Sequence, residues 1–300
     1  MTLRPLVLRA SVSIGLLGGV AWWLDIGAVV SRLTEMRPEW VLAAVALSVL
    51  QVVLLAWRWR FTAGRLGVEL SFAVAWREYY LSIFLNQVLP GGVLGDVSRA
   101  WRQARTQTRL DGPAVRAVIF ERLSAQAVMT SVAVVSLLTL PVTVDAGSRL
   151  LLVGAGAATV FIATAIVVWI RRQSSAASLS GRVLTELSRA HLSGSAFVAQ
   201  LASATIVVGT YLATYLAAAR AVGVETPLPV FLPLVAPVLM TMLIPVTVAG
   251  WGLRESAAAV LWGAVGLTAA DGVAVSVTYG LMVLVGSLPG ALFLARARRP

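Results

Sequence analysis

The sequence predicts an all-α polytopic membrane protein with about six to eight transmembrane helices. Of its 300 residues, 59% are hydrophobic and only 12% are charged, whereas about 25% charged residues is usual in soluble domains. Nine uncharged stretches follow one another with short connections. They are 10–24, 40–57, 79–95, 123–144, 150–170, 192–219, 226–253, 256–270 and 272–295. Because about 20 apolar residues cross the hydrocarbon core of a bilayer, we expect residues 1–300 to form a single transmembrane domain.

The charge and residue usage exclude several classes of function. The formal net charge is +11, which in a chain this apolar indicates contact with a membrane surface and no nucleic acid partner. Cysteine is absent and His191 is the single histidine, so no thiolate or histidine metal cluster is expected. No nucleophile with a base, P-loop or dinucleotide fingerprint is found. We therefore expect no enzyme activity and no cofactor, and we place His191 in a solvated loop.

The arginines orient the first half of the chain, because short cytoplasmic loops carry the basic excess. The stretch 10–24 is predicted to be a retained first helix with a cytoplasmic N-terminus. Loop 25–39 has three acids against two arginines and lies outside, whereas segment 58–78 has four arginines against two acids and lies inside. Segment 96–122 has six arginines against three acids, and it would lie outside if 79–95 crossed the membrane. We therefore expect 79–95 to enter the membrane and return to the cytoplasmic side.

In the second half, successive stretches are expected to cross the membrane in alternating directions. The stretches 123–144, 150–170 and 192–219 alternate in direction, and the arginine-rich C-terminus should be cytoplasmic. Residues 226–295 must therefore cross an odd number of times. Three full spans and one span plus a hairpin both satisfy this condition.

Proline and glycine interrupt two of the apolar stretches. Near the first interruption lie Asn86, Gln87, Pro90, Gly91, Gly92 and Gly95. Near the second lie Pro245, Gly250 and Gly252, after a run in which Pro227, Pro229, Pro233 and Pro237 also interrupt the sequence. Broken backbone survives at membrane depth only where protein or a water-filled cavity satisfies its polar groups. The sequence therefore favours two re-entrant hairpins beside a cavity.

The two interruptions lie about half the chain length apart. Interrupted segments at corresponding positions of two halves indicate a transporter binding site, and inverted repeats are one way to build it. We therefore expect half-repeats of about 1–145 and 146–300, with the first hairpin entering from inside and the second from outside.

The first interruption could hold an anion. Glycine-rich backbone followed by a helix starting after Asp96 would direct N–H groups and the positive helix dipole toward a phosphate. Alternatively, Asp96 is an N-cap and the glycines form a tight turn. A stripe of arginines at helical spacing follows, and it could gather anionic head groups or only fix topology. Its members are Arg99, Arg102, Arg105 and Arg109.

Two adjacent charge pairs border apolar runs, Glu121 with Arg122 and Arg254 with Glu255. Charges inside a membrane usually face a cavity or each other. Arg254 could bind a lipid phosphate while Glu255 or Asp96 takes up a proton or orients the arginine. Alternatively, the pair only locks the helices together. Trp251 and Trp262 would line or close the second hairpin, or serve ordinary packing.

These motifs, taken in order, resemble the transmembrane region of the lysylphosphatidylglycerol synthases, a family that includes stand-alone flippase-like proteins. The resemblance rests on Asn86 to Gly92 leading to Asp96 and Arg99, then Glu121-Arg122, then Pro245 leading to Arg254-Glu255. It implies movement of an anionic or modified lipid between leaflets. Full-length synthases carry a soluble aminoacyl-transfer domain after this region, so we expect no synthase activity.

The sequence departs from the family pattern at two places. Ala249 stands where a second glycine is frequent. Ser124-Ala125 follow Glu-Arg-Leu where an acidic residue is common. Because of the second departure, the resemblance says less about the role of Glu121.

Together these observations predict a lipid translocator in the plasma membrane with both termini cytoplasmic. Its substrate would be an anionic or modified phospholipid or a polyprenyl-phosphate-type lipid, moved passively or by an ion gradient through a cavity between the hairpins. Arg254 and Arg99 would contact the head group, with Asp96 and Glu255 as counter-charges. The remaining substrate-binding candidates are Asn86, Gln87, Pro90, Gly91, Gly92, Gly95, Glu121, Arg122, Pro245, Gly250 and Gly252.

Two other functions fit the sequence. One is a non-transporting scaffold for a glycosyltransferase or lipid-modifying enzyme, and the other is a small-solute secondary transporter. The expected partners are anionic membrane lipids, with a homo-oligomer or a lipid-modifying enzyme as further candidates.

Overall fold

The computed structural model describes residues 3–23, 26–89, 92–105, 112–140, 183, 185–244 and 246–297, and within these ranges it contains helices and no β-strand. We number eleven α-helices. They are α1 (Leu3–Trp23), α2 (Ile26–Thr34), α3 (Pro38–Arg65), α4 (Phe72–Val88), α5 (Leu94–Arg105), α6 (Pro113–Thr139), α7 (Gly194–Ala221), α8 (Leu228–Met240), α9 (Leu253–Ala264), α10 (Ala269–Ser287) and α11 (Pro289–Ala297). The predicted all-α fold is confirmed.

Four segments of the described chain are long and apolar enough to cross a membrane. They are Pro38–Arg65, Pro113–Thr139, Gly194–Ala221 and Ala269–Leu294, the last continuing from α10 into α11. A 28-residue helix is about 42 Å long, more than the roughly 30 Å hydrocarbon core. The chain is therefore an integral membrane protein. The predicted first span corresponds to α1, and the predicted span 150–170 lies outside the described residues.

Local sequence sets several helix starts. Pro38 and Pro113 occupy first-turn positions, where the missing N–H costs nothing. The hydroxyl groups of Ser71 and Thr268 cap α4 and α10 by accepting the N–H groups of Val74 and Asp271, each at 3.4 Å.

Two predictions about local structure are wrong. Segment 25–39, expected to be a loop, contains the nine-residue helix α2. Pro233 and Pro237 lie inside α8 and do not interrupt it. The break in this stretch comes later, after the 3-10 turn Thr241–Leu243.

The long helices α3 and α7 pack along each other at the centre of the described structure. Around them, α6 packs against α8, and α11 packs against α4. One buried cluster centres on Trp59 and Tyr79, and another on Tyr215 and Trp262. The two broken segments, α4 with α5 and α8 with α9, therefore pack against the long helices.

The same order of elements occurs twice. In α3 to α6, a long helix is followed by a pair of shorter helices and another long helix, and α7 to α10 repeat this order. The packing also corresponds, because α3 contacts α6 as α7 contacts α10, and α6 contacts α7 as α10 contacts α3. This agrees with the idea of half-repeats, which remains a prediction.

Candidate functional site

The first broken segment is a tight pair of helices, α4 and α5. A Cβ atom on Gly95 would lie 2.0 Å from the carbonyl oxygen of Ser82, so only glycine allows this approach of the two backbones. The Asn86 side chain joins the pair by accepting the N–H of Gly95 at 2.7 Å. Gly92 precedes α5, while Pro90 and Gly91 lie outside the described residues.

Asp96 is the counter-ion of two arginines. Its Oδ1 accepts Nε of Arg99 at 2.9 Å and Nη2 of Arg122 at 2.8 Å. Ser82 and Asn86 donate further hydrogen bonds to its carboxylate. Because α5 begins at Leu94, Asp96 is the third residue of the helix. The expectation that it is an N-cap, or that the helix starts after it, is therefore wrong.

Glu121 is fully buried and holds Arg99 from the opposite side. Its Oε2 accepts Nη2 of Arg99 at 3.0 Å and the Tyr79 hydroxyl at 3.1 Å. The Arg99 guanidinium also lies over the rings of Trp59 and Tyr79, at 4.6 and 4.2 Å from their centroids. Every face of this guanidinium is thus covered by protein.

Arg58 completes the cluster, and sequence reasoning missed it by placing it in the cytoplasmic segment 58–78. It is fully buried, donates to Ser203 and Ser124 at 2.6 and 2.7 Å, and lies 3.8 Å from Glu121. A signal was present in the sequence, since Arg58 directly follows the apolar stretch 40–57.

The cluster contains one more positive than negative side chain. Arg58, Arg99 and Arg122 are opposed by Asp96 and Glu121, and arginine stays protonated in proteins. Arg58 and Arg99 are fully buried, whereas 37% of the Arg122 side chain is exposed. The surplus charge can therefore reach a ligand through Arg122.

The second broken segment holds a neutral pair. Arg254 donates to Glu255 at 2.7 Å, and Ser276 contacts both partners at 2.9 and 3.0 Å. Gly252, with φ of 91°, precedes α9 and donates its N–H to Glu255 at 2.7 Å. Gly250 packs on Met242, and Pro245 lies outside the described residues.

A cavity of about 220 Å³ lies between the two broken segments. Asn86, Gln87 and Gly92 from the first and Met242, Leu243 and Ala249 from the second contribute to its wall, together with Arg122. The other lining residues are Gln51, Leu55, Ile83, Ala125, Gln126, Met129, Val207, Val208, Tyr211, Leu239, Met240, Tyr279 and Val283. The wall is thus mainly apolar, with three methionines, four amide side chains and one cation.

Arg99 and Arg254, expected as head-group contacts, do not line this cavity. They are 0% and 1% exposed, because their guanidinium groups are occupied by buried carboxylates and aromatic rings. The expected direct contact is wrong for this arrangement. Arg99 and Arg254 instead fix the walls on either side.

Two further expectations need correction. Glu121 and Arg122 do not pair with each other, because Glu121 binds Arg99 and Arg122 binds Asp96. The arginine stripe is not one free surface, since Arg99 is buried and Arg102 pairs with Glu78 at 2.5 Å. Arg105 lies over the Trp101 ring at 3.8 Å, and Arg109 lies outside the described residues.

His191 is buried and not solvated. It lies in the π-helical turn Ser188–Leu192 before α7, with the Phe120 ring 6.1 Å away. Burial, with a contribution from the charge of Arg58, lowers the pKa of His191 to about 4. The imidazole is therefore neutral near pH 7.

The two tryptophans of the second segment have different surroundings. Trp251 stacks on the Arg254 guanidinium at 5.0 Å. Trp262 is fully buried against Tyr215 and Phe231. Neither is among the residues that line the cavity.

The family described as "Lysylphosphatidylglycerol synthase TM region" matches residues 7–290. A search of curated proteins found no match.

Proposed function

Since this chain belongs to the lysylphosphatidylglycerol synthase TM region family, we propose that it moves lipids with a phosphate-bearing head group between the leaflets of the membrane. The head group passes through the cavity between the two broken segments. Arg122 binds the phosphate, and the acyl chains stay in the bilayer. This makes the protein a lipid translocator in the plasma membrane, with no catalytic step of its own.

The surplus positive charge carries this proposal. An unpaired charge in a low-dielectric site is costly, and a phosphodiester supplies a single negative charge. Three buried or half-buried arginines face two carboxylates, and Arg122 is the member of the cluster that lines the cavity. Arginine can bind phosphate with two parallel hydrogen bonds. A monoanionic head group therefore complements the site.

Asp96 makes the binding reversible. It holds Arg122 at 2.8 Å, and a phosphate would compete with it for the same guanidinium. Transport requires binding that is strong enough for entry and weak enough for release. Asp96, Glu121 and Arg99 therefore act as positioning residues for Arg122.

The broken backbone supplies the route. Non-helical backbone at membrane depth is tolerated beside a cavity, and interrupted helices frame the binding sites of many transporters. Both interruptions contribute residues to this cavity. We propose that the two helix pairs are re-entrant and that their tips separate the leaflets. No ATP-binding motif is found in the sequence, so movement is passive or coupled to an ion gradient.

The test is lipid exchange in proteoliposomes that contain phosphatidylglycerol labelled on an acyl chain. We compare wild type with Arg122→Gln, which removes the cavity charge, and with Arg60→Gln, which makes the same charge change at an exposed position of α3. A charge-assisted hydrogen bond contributes about 1.5–3 kcal/mol. Exchange should therefore fall at least about tenfold in Arg122→Gln and remain unchanged in Arg60→Gln.

Three results would contradict the proposal. Equal exchange in wild type and a folded Arg122→Gln would exclude this cavity as the route. Absence of exchange in wild type, with and without a proton gradient, would favour the scaffold function. Uptake of soluble glycerol phosphate without lipid exchange would favour a solute transporter.

A further inference from the structure

The cavity presents uncharged hydrogen-bonding groups besides Arg122. Gln51, Asn86, Gln87 and Gln126 all contribute to its wall. Asn86 is already used, because it binds both Gly95 and Asp96. The three glutamines differ from Asn86 because their side-chain oxygen atoms make no hydrogen bond within the described chain. These oxygen atoms decide what else the cavity can bind.

The glutamine carbonyl oxygens are available. Gln51 donates its amide to Thr210 at 3.0 Å, and Gln126 donates its amide to the sulfur of Met240 at 3.0 Å. Within the described chain, no hydrogen bond uses the Oε1 atom of either residue, and Gln87 makes no side-chain hydrogen bond there. Gln51 is buried and Gln87 and Gln126 are partly buried. A cavity-lining amide oxygen that gives up water on ligand binding needs a donor in exchange, so these groups favour a ligand that can donate to them.

The electrostatics of the wall restrict the ligand further. Among the described residues, no carboxylate lines the cavity, and Asp96 behind the wall is occupied by Arg99 and Arg122. A cationic head group would add a positive charge to a cluster that already has one in surplus. Repulsion between like charges is strong at low dielectric.

Building on the proposed function, we infer that the cavity selects phosphodiester lipids whose head group carries hydroxyl groups and excludes lipids whose head group carries a net positive charge. Arg122 takes the phosphate. The amide oxygens of Gln51, Gln87 and Gln126 accept hydrogen bonds from the hydroxyl groups. These glutamines are thus specificity-determining residues.

The experiment compares three lipids in the same proteoliposomes, each labelled on an acyl chain. Phosphatidylglycerol and phosphatidylpropanol have the same charge and carbon count in the head group but differ by two hydroxyl groups. Lysylphosphatidylglycerol carries a net positive charge. We expect phosphatidylglycerol to exchange about tenfold faster than phosphatidylpropanol, as two net hydrogen bonds would give, and at least about tenfold faster than lysylphosphatidylglycerol.

Glutamine variants assign the selectivity to the cavity. Gln87→Met, Gln126→Met and the double variant keep the side-chain length but remove the amide. The preference for phosphatidylglycerol over phosphatidylpropanol should fall to less than about threefold in the double variant, because the phosphatidylglycerol rate falls more than the phosphatidylpropanol rate. Thr205→Val is the control, because it removes a hydroxyl from an exposed position of α7, and it should keep the wild-type preference.

The outcomes separate the two proposals. Equal exchange of phosphatidylglycerol and phosphatidylpropanol, both lost in Arg122→Gln, would overturn the selectivity and leave the proposed function standing. Exchange of lysylphosphatidylglycerol at or above the phosphatidylglycerol rate would also overturn it. If none of the three lipids exchanges, the proposed function fails and the selectivity fails with it.

Discussion

Ser124 is a neutral residue at a position where a carboxylate would balance the charge of the arginine cluster. Its hydroxyl accepts Nη2 of Arg58 at 2.7 Å, so Arg58 has a neutral partner at this position. A carboxylate here would balance the three arginines without touching the cavity wall, because Ser124 is not a lining residue. A substitution at Ser124 can therefore change the net charge of the cluster without changing the cavity wall.

The variant Ser124→Asp tests this effect. The new carboxylate should pair with buried Arg58 and raise the melting temperature in detergent, since a buried charge gains a partner. It should also slow phosphatidylglycerol exchange several-fold, because the cluster becomes neutral. Ser124→Asn is the matched control of similar size and should change neither strongly. Faster exchange in Ser124→Asp would contradict the role assigned to the surplus charge.

Individual charge partners were predicted well only where they are local. The Arg254–Glu255 pair was expected and forms at 2.7 Å. The partners of Arg122 and Arg58 are 26 and 63 positions away, at Asp96 and Glu121. Their meeting depends on how α3, α5 and α6 pack, and a single sequence contains no direct signal of such packing.

At the scale of helices, the breaks were easier to predict than the ends. Proline and glycine act locally, so the interruptions near residues 90 and 245 were found correctly. The ends of the long helices were not predicted correctly, because each predicted apolar stretch was taken to end at the first charged residue. Helices α3 and α6 continue through Arg58 and through Glu121-Arg122, since those side chains have charged partners inside the protein.

The turn before α9 contains a strained alanine. Ala249 has φ of 50°, a left-handed conformation that costs a residue with a Cβ about 1–2 kcal/mol. Glycine avoids that cost but loses more entropy on folding, by about 0.4–1 kcal/mol. This explains in physical terms why a glycine suits this position.

Ala249→Gly should therefore stabilise the protein by roughly 0.5–1 kcal/mol. Thermal unfolding in detergent measures the effect. The same change in a regular helix, Ala257→Gly in α9, should instead destabilise the protein by about 1 kcal/mol. If both variants lower the melting temperature equally, the left-handed backbone at Ala249 does not destabilise the protein.

At the scale of the whole molecule, the two sets of four helices correspond in order and in packing. The long helices α3 and α7 contain 28 residues each, and both are followed by a broken helix pair. The charged residues also correspond, because Asp96 and Glu255 are each the third residue of the second helix in their pair. We propose that the halves are inverted repeats.

Inversion predicts that the two turns are reached from opposite sides of the membrane. Because the chain has no cysteine, Val93→Cys and Val246→Cys each introduce a single thiol at an exposed turn position. An impermeant maleimide should label the first from the cytoplasmic side and the second from the other side. Thr34→Cys, in the segment expected outside, is the reference. Labelling of both turns from one side would contradict inversion.

The methionines of the cavity give the protein a built-in spectroscopic reporter. The chain contains six methionines, and Met129, Met240 and Met242 all line the cavity. Isotope labelling of the methionine methyl groups would produce a nuclear magnetic resonance spectrum with few signals, half of them from the cavity wall. The chemical shifts of those signals would follow occupancy of the cavity directly, without a fluorescent group on either the lipid or the protein.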